Sequence, residues 1–231
     1  MKKKLLIVLF CFLSTALAAQ NGKRVVVGIS VGPSIDWLTP RTDGYDGNGA
    51  IVGLRYGVPV DINFTQENNY YFTTGVLFSH TGGKLKFPDY LTGQTTEVVN
   101  THRKYNSLYI SIPTGVKLKT PSFGNFVFGG NFGFYHGFLL SSKKLDHYDN
   151  SGDMIKQTKK SDYKETNFFK ESLYVGLGAE YIIRDDFRVT AYINYSYTLT
   201  NYFKNKVHNS YTGARERANL GCVELLLGVT F

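Results

Sequence analysis

The chain has 231 residues, 15% of them aromatic, with 24 glycines and a formal net charge of +8. Its basic residues are scattered rather than clustered, which argues against a nucleic-acid partner. No stretch beyond the N-terminus reaches the roughly 18 apolar residues that a membrane-spanning helix needs.

The N-terminus reads as an export signal. Lys2, Lys3 and Lys4 precede an apolar run at 5–13, which is too short to span a bilayer, and a small-residue segment at 14–19. Ala16-Leu17-Ala18 supplies an A-x-A-like cleavage site. Residues 1–19 are therefore expected to be a cleaved signal peptide, 20–24 a short tail, and 25–231 the barrel described next. Cys11 leaves with the signal, so Cys222 stands alone and no internal disulfide forms. An exported chain without a membrane helix is periplasmic, secreted or an outer-membrane barrel.

Apolar and other residues then alternate with a period of two, which predicts strands. The first strand covers 25–35, with Val25, Val27, Ile29 and Val31 on one face. The second, 49–64, sends Val52, Leu54, Tyr56, Val58, Val60, Ile62 and Phe64 outward and Arg55, Gly57 and Asp61 inward. The third, 70–81, aligns Phe72, Val76 and Phe78. The fourth, 105–119, aligns Leu108, Ile110, Ile112, Val116 and Leu118, and the fifth, 125–141, Phe126, Phe128, Phe132 and Phe134. The sixth, 168–183, aligns Leu173, Val175, Leu177, Ala179, Tyr181 and Ile183. The seventh, 187–200, sets Phe187, Val189, Ala191, Ile193, Tyr195, Tyr197 and Leu199 on one face. The eighth, 218–231, ends the chain on Val223, Leu225, Leu227, Val229 and Phe231. Pro59 and Pro113 fit this pattern badly, because each removes a ladder donor.

The connections alternate in length. Segments 66–69, 120–124 and 184–186 are short, whereas 36–48, 82–104, 142–167 and 201–217 are long. Short turns inside and long loops outside belong to bacterial barrels. Rings gather at both ends: Phe64, Tyr70, Tyr71, Phe123, Phe126, Phe187 and Phe231 by the short turns, and Trp37, Tyr105, Phe138, Phe168, Phe169 and Tyr202 by the long loops. Two such bands are expected where hydrocarbon meets headgroups. The fold class is all-β: an eight-stranded, antiparallel, up-and-down transmembrane β-barrel in the bacterial outer membrane, closed by pairing of the last strand with 25–35.

Tyr109-Ile110-Ser111-Ile112-Pro113, followed by Gly115-Val116-Lys117-Leu118-Lys119 and by Gly176-Leu177-Gly178-Ala179-Glu180-Tyr181, resembles the PorT-like outer-membrane β-barrel proteins of Bacteroidetes-type bacteria. The signal ending in Ala19-Gln20 and the terminal Phe231 fit the same family. The resemblance implies an outer-membrane barrel and a link to protein-secretion and gliding machinery. Resemblance to outer-membrane barrels at large implies that the last strand (Leu225, Leu227, Val229, Phe231) is the signal read by the barrel-insertion machinery.

Three functional readings stand. In the first, Arg55, Asp61, Lys117, Glu180, Arg188 and Glu224 pair into a plug, because an eight-stranded barrel is just wide enough for its side chains to fill. The long loops then meet a surface or secretion partner. Lys84, Lys86, Lys204, Lys206, Arg215 and Arg217 contact phosphates of the outer-leaflet glycolipid. In the second, the same inward charges line a narrow channel. In the third, His80, His102 or His136 serves a rim enzyme, with Ser79, Asp89 and Glu97 nearby in sequence. No spacing among these residues specifies a nucleophile, a base and an orienter, so a non-enzymatic protein without a cofactor is expected. Asp146, His147, Asp149 and Asp153 offer oxygen and nitrogen ligands but lack a calcium-loop spacing, and an ordinary polar turn is expected there.

Overall fold

The computed structural model describes residues 25–65, 69–90, 98–150, 153–156, 160–161, 163–184 and 186–231. The expected signal peptide and tail, 1–24, lie outside the described residues. Eight long strands carry the fold: β1 (Val25–Pro40), β2 (Ile51–Asn63), β3 (Tyr70–Tyr90), β4 (Val98–Lys119), β5 (Phe126–Asn150), β6 (Phe169–Arg184), β7 (Phe187–Thr198) and β8 (Ala218–Thr230). Each pairs antiparallel with its neighbours in sequence, and β1 pairs with β8, so the sheet closes into a barrel. Ile29 lies opposite Val229 and Val31 opposite Leu227 in that seam. The Phe231 backbone N–H reaches the Val27 carbonyl at 2.9 Å and carries the seam to the last residue. No helix occurs among the described residues.

The period-two pattern sorts as expected. Ile29, Val52, Leu54, Phe72, Ile112, Phe128, Phe132, Val175, Leu177, Ile193 and Leu227 all face outward and are exposed. Serine, threonine, asparagine, tyrosine and charged side chains fill the inside. A wall apolar outside and polar inside suits lipid, and the closed sheet leaves no open edge there. The ring bands sort less simply. Phe64, Tyr70, Phe123, Phe126, Phe168 and Phe231 are exposed on the outside, but Tyr71, Tyr105 and Tyr202 are buried. Tyr71 and Tyr105 have the inward parity of their strands, and Tyr202 folds in from the last long connection.

Pro59 and Pro113 cause no slip of register. Both lie level with Gly75 of β3. Pro59 is its direct partner, and the β3–β4 ladder lapses from Thr73↔Gly115 to Leu77↔Ser111 and then resumes unshifted. Gly75 has φ of 131°, a conformation open to glycine, and a Cβ there would stand 2.2 Å from the Val58 carbonyl oxygen. The irregularity of β4–β5 lies elsewhere, between Leu108 and Tyr109.

The long-loop end departs from expectation. Segments 82–104 and 142–167, read as loops, are largely strand. β3 runs to Tyr90, β4 starts at Val98, and β5 runs to Asn150 and pairs back with Asp153–Lys156. The physical reason is an inversion of the alternation. On this extension Leu85, Phe87, Val99, Tyr105 and Tyr148 are buried inside, while Lys84, Lys86 and Lys104 lie on the outer face. Above the lipid the outer face meets water, so its polar residues turn outward and the apolar ones inward.

Candidate functional site: the lumen, its cap and the outer wall

The six inward charges expected from the sequence all find partners, in two separate clusters. In the middle of the lumen Arg55 Nε of β2 meets Glu224 Oε2 of β8 at 2.7 Å. Tyr135 of β5 and Asn194 of β7 donate to Glu224 Oε1 at 2.8 and 3.0 Å, and the Arg55 guanidinium lies over the Tyr135 ring. Four strands from different sides of the barrel thus converge on one carboxylate. Nearer the short-turn end Lys117 donates to Asp61 at 2.5 Å, and Thr73 donates to the same carboxylate at 2.7 Å. Glu180 there takes Lys119 at 2.8 Å, Arg188 at 3.2 Å and the Tyr192 hydroxyl at 3.0 Å. Gly178 lies opposite Tyr192, and a Cβ on it would come within 2.5 Å of that ring. Leu77, Tyr135 and Tyr174 pack as a small buried cluster in the same lumen.

Sequence reading missed Lys119, although its parity matches that of Lys117. It also missed the partners that are neutral, namely Tyr135, Tyr192 and Asn194. Charge marks a lumen residue in a sequence, whereas an inward tyrosine looks like any ring of the outer bands.

The long-loop mouth is covered by the last connection, 199–217. Tyr202 and Phe203 insert among Leu38, Tyr45, Leu85, Phe87, Tyr105, Ala218 and Leu220. Asn209 donates to the Pro88 carbonyl and to the Tyr45 hydroxyl, both at 2.9 Å, and Tyr45 donates to Glu216 at 3.1 Å. The connection therefore crosses from β7 to β3 and returns to β8 as a strap. Beneath it Arg103 is held by Asp146 at 2.5 Å and by Asp89 at 3.6 Å. Burial pushes the Glu216 carboxyl above its ordinary range, against the lowering effect of Arg103.

The six basic loop residues do not come together. Lys84 and Lys86 project from the outer wall of β3, where Lys84 lies directly opposite Lys104 of β4. Lys143 of β5 extends this row from its place opposite Asn106. His102 and His147 face the same side opposite Lys86, and Asn48 donates to His102 at 2.7 Å. Asp46 pairs with Lys86 in register, yet among the described residues no ion pair is formed by Lys84, Lys86, Lys104 or Lys143. Lys204, Lys206, Arg215 and Arg217 instead ride on the strap. There Lys204 lies over the Tyr163 ring and Arg215 bonds Asn205.

The candidate histidine and metal sets divide between the two faces. Ser79 is buried in the lumen while His80 faces out. Asp89 and Asp146 are taken by Arg103 inside, and His147 points outside. Among the described residues no group of three metal-ligating side chains occurs. Glu97 and the side chains of Asp149 and Asp153 lie outside the described residues. His136 has two polar neighbours: the Thr114 hydroxyl is 2.8 Å from its Nε2, and Glu171 Oε1 is 3.8 Å from its Nδ1.

A family comparison agrees with this architecture. Residues 18–204 match the family described as the outer membrane protein beta-barrel domain. Among solved structures the chain is similar to outer membrane protein OprG from Pseudomonas aeruginosa, at 10% identity and a TM-score of 0.41, covering 90% of this chain and 96% of that one. It is similar to Neisserial surface protein A at 11% identity and a TM-score of 0.40, covering 88% and 95%. It is also similar to Ail, the attachment invasion locus protein of Yersinia pestis, at 16% identity and a TM-score of 0.35, covering 90% and 99%. No curated protein matches the chain.

Proposed function

The chain belongs to the outer membrane protein beta-barrel domain family and spans the bacterial outer membrane, and from that premise we propose that it is a closed interaction barrel working through its outer side. The lumen supports this reading rather than a channel. Side chains from β2, β5, β7 and β8 meet at Glu224, and a strap covers the mouth above them. In this reading the lumen and strap do no chemistry.

The partner that the outer wall fits is the phosphate of the outer-leaflet glycolipid. One observation carries this: Lys84 and Lys104 lie directly opposite each other, with Lys86 and Lys143 alongside, and none of them is in an ion pair among the described residues. Like charges opposed across a ladder are destabilising unless an anion lies between them. Lys84 lies four residues past His80 on the same face, about 13 Å further along the strand. That height is above the apolar belt, in the headgroup layer, where anionic lipid favours basic side chains. The projecting wall of β3, β4 and β5 also offers a face to a surface or secretion protein, and the PorT-like resemblance supports a link to secretion or gliding machinery. Resemblance likewise supports recognition of β8 by the insertion machinery.

The test is retention of glycolipid by the purified barrel. Replacing Lys84 and Lys104 together by glutamate should lower the lipopolysaccharide retained through detergent washing at least about tenfold, with the loss greatest at low salt. Replacing Lys204 and Lys206 should leave retention unchanged. Equal retention by the Lys84/Lys104 variant and the wild type would contradict the proposal.

A further inference from the structure

A second site lies on the outer wall, independent of the lysines. Thr114 of β4, His136 of β5 and Glu171 of β6 form a row across three neighbouring strands. Glu171 is the register partner of His136, and Thr114 lies diagonal to it, opposite Phe134. The Thr114 hydroxyl bonds Nε2 of His136 at 2.8 Å. Nδ1, on the other side of the ring, faces the Glu171 carboxylate at 3.8 Å. The imidazole lies nearly parallel to the Phe134 ring, 6.4 Å between centroids. All three side chains have the outward parity, so they face the surrounding lipid and not the lumen.

Their height is equally specific. His136 lies two residues from Phe138 on one strand, and Glu171 two residues from Phe169 on the next. Phe138 and Phe169 form part of the ring band at the long-loop end, 5.6 Å apart. His136 and Glu171 therefore lie one pleat repeat inside the band and Thr114 two, on the lipid-facing wall at its long-loop end. Ionisable side chains within a membrane ordinarily turn to the protein interior, and those that do not mark function. Apolar residues would suit a merely structural wall better, as at the neighbouring Ile112, Phe134 and Leu173.

We propose that Thr114, His136 and Glu171 form a catalytic site for hydrolysis of acyl esters in outer-leaflet lipid. A hydroxyl, an imidazole and a carboxylate in this order supply a nucleophile, a base and an orienter. The Thr114 oxygen attacks the ester carbonyl carbon while His136 Nε2 takes its proton. The tetrahedral intermediate collapses, the bond from carbonyl carbon to the lipid oxygen breaks, and His136 gives its proton to that departing oxygen, which leaves as the lipid alcohol. Water then attacks the acyl-threonine, His136 takes the water proton, and the bond to Thr114 breaks as that proton is delivered to Thr114. The net reaction is ester plus water to carboxylic acid plus alcohol. Glu171 positions the ring and balances the charge of the imidazolium. Its contact to Nδ1 is longer than a hydrogen bond here, and such contacts tighten when substrate is bound.

The test reconstitutes the full chain in two kinds of vesicle, one of phosphatidylglycerol and one of phosphatidylcholine carrying hexa-acylated lipid A, and measures released fatty acid by mass spectrometry. The wild type should release fatty acid, and the identity of the productive vesicle names the lipid. Thr114→Val and His136→Phe should lower release at least about 100-fold, and Thr114→Ser should restore much of it. Glu171→Gln should lower the maximal rate at least about tenfold with little change in KM, as expected of a residue that positions the imidazole. These replacements lie on the lipid face, so each variant should keep the heat-modifiable gel mobility of a folded barrel. Wild-type release no greater than that of folded His136→Phe, in both vesicles, would overturn the proposal and leave the trio as a self-satisfied polar cluster.

Discussion

Glu224 is the residue on which the lumen turns. It is almost fully buried and is shared by Arg55, Tyr135 and Asn194. A buried pair need not add net stability, but breaking it strands a charge. Arg55→Met should destabilise the refolded barrel by about 3–5 kcal/mol in urea titration, because Glu224 is left uncompensated. The double replacement Arg55→Met with Glu224→Gln should recover most of that loss. A double variant as unstable as the single one would mean that Arg55 acts through packing alone. At this scale the sequence was partly legible. Arg55 and Glu224 declare themselves as charges at inward positions of apolar-alternating strands. The trio of Thr114, His136 and Glu171 does not, because its members are separated by 22 and 35 positions and only the register across β4, β5 and β6 brings them together. That register carries an irregularity at Leu108 and Tyr109 that no local pattern announces.

Between the belt and the mouth, the elements change solvent. Within the belt, strands are apolar outside; on the extensions of β3, β4 and β5 the parity of apolar residues inverts. The extensions were therefore legible as alternating segments but not as strands of a lipid-facing wall. Lys84-Leu85-Lys86-Phe87 is the clearest instance, with both apolar residues inside. The strap has its own pH dependence through Glu216. Burial raises that carboxyl above its ordinary value of roughly 4.3, so its contribution to docking is fully present below the ordinary value and is lost as pH rises through the raised one. Limited proteolysis at Lys204, Lys206 and Arg215 should accordingly be slower near pH 4.5 than near pH 7.5, corrected for the protease's own profile. Glu216→Gln should remove the difference. An unchanged pH dependence in that variant would place the sensitive group elsewhere.

For the whole molecule, closure is the property that decides between readings. Each of the eight long strands has two partners, the seam extends to Phe231, charges bridge the lumen at two depths, and the strap fills the long-loop mouth. Barrel type and strand count were legible because lipid imposes one parity on all eight strands and turn length alternates with it. The filling was less so, since it depends on tyrosines and on a connection folding back into the mouth. On the proposed reading, such a barrel meets its surroundings through its wall and its rim. The most direct measurement is the conductance of the purified protein in planar bilayers. A closed barrel predicts no steady conductance above the bare membrane, and the same result for the wild type and for Lys84/Lys104 variants. Reproducible, discrete open channels from the wild-type protein would contradict the account.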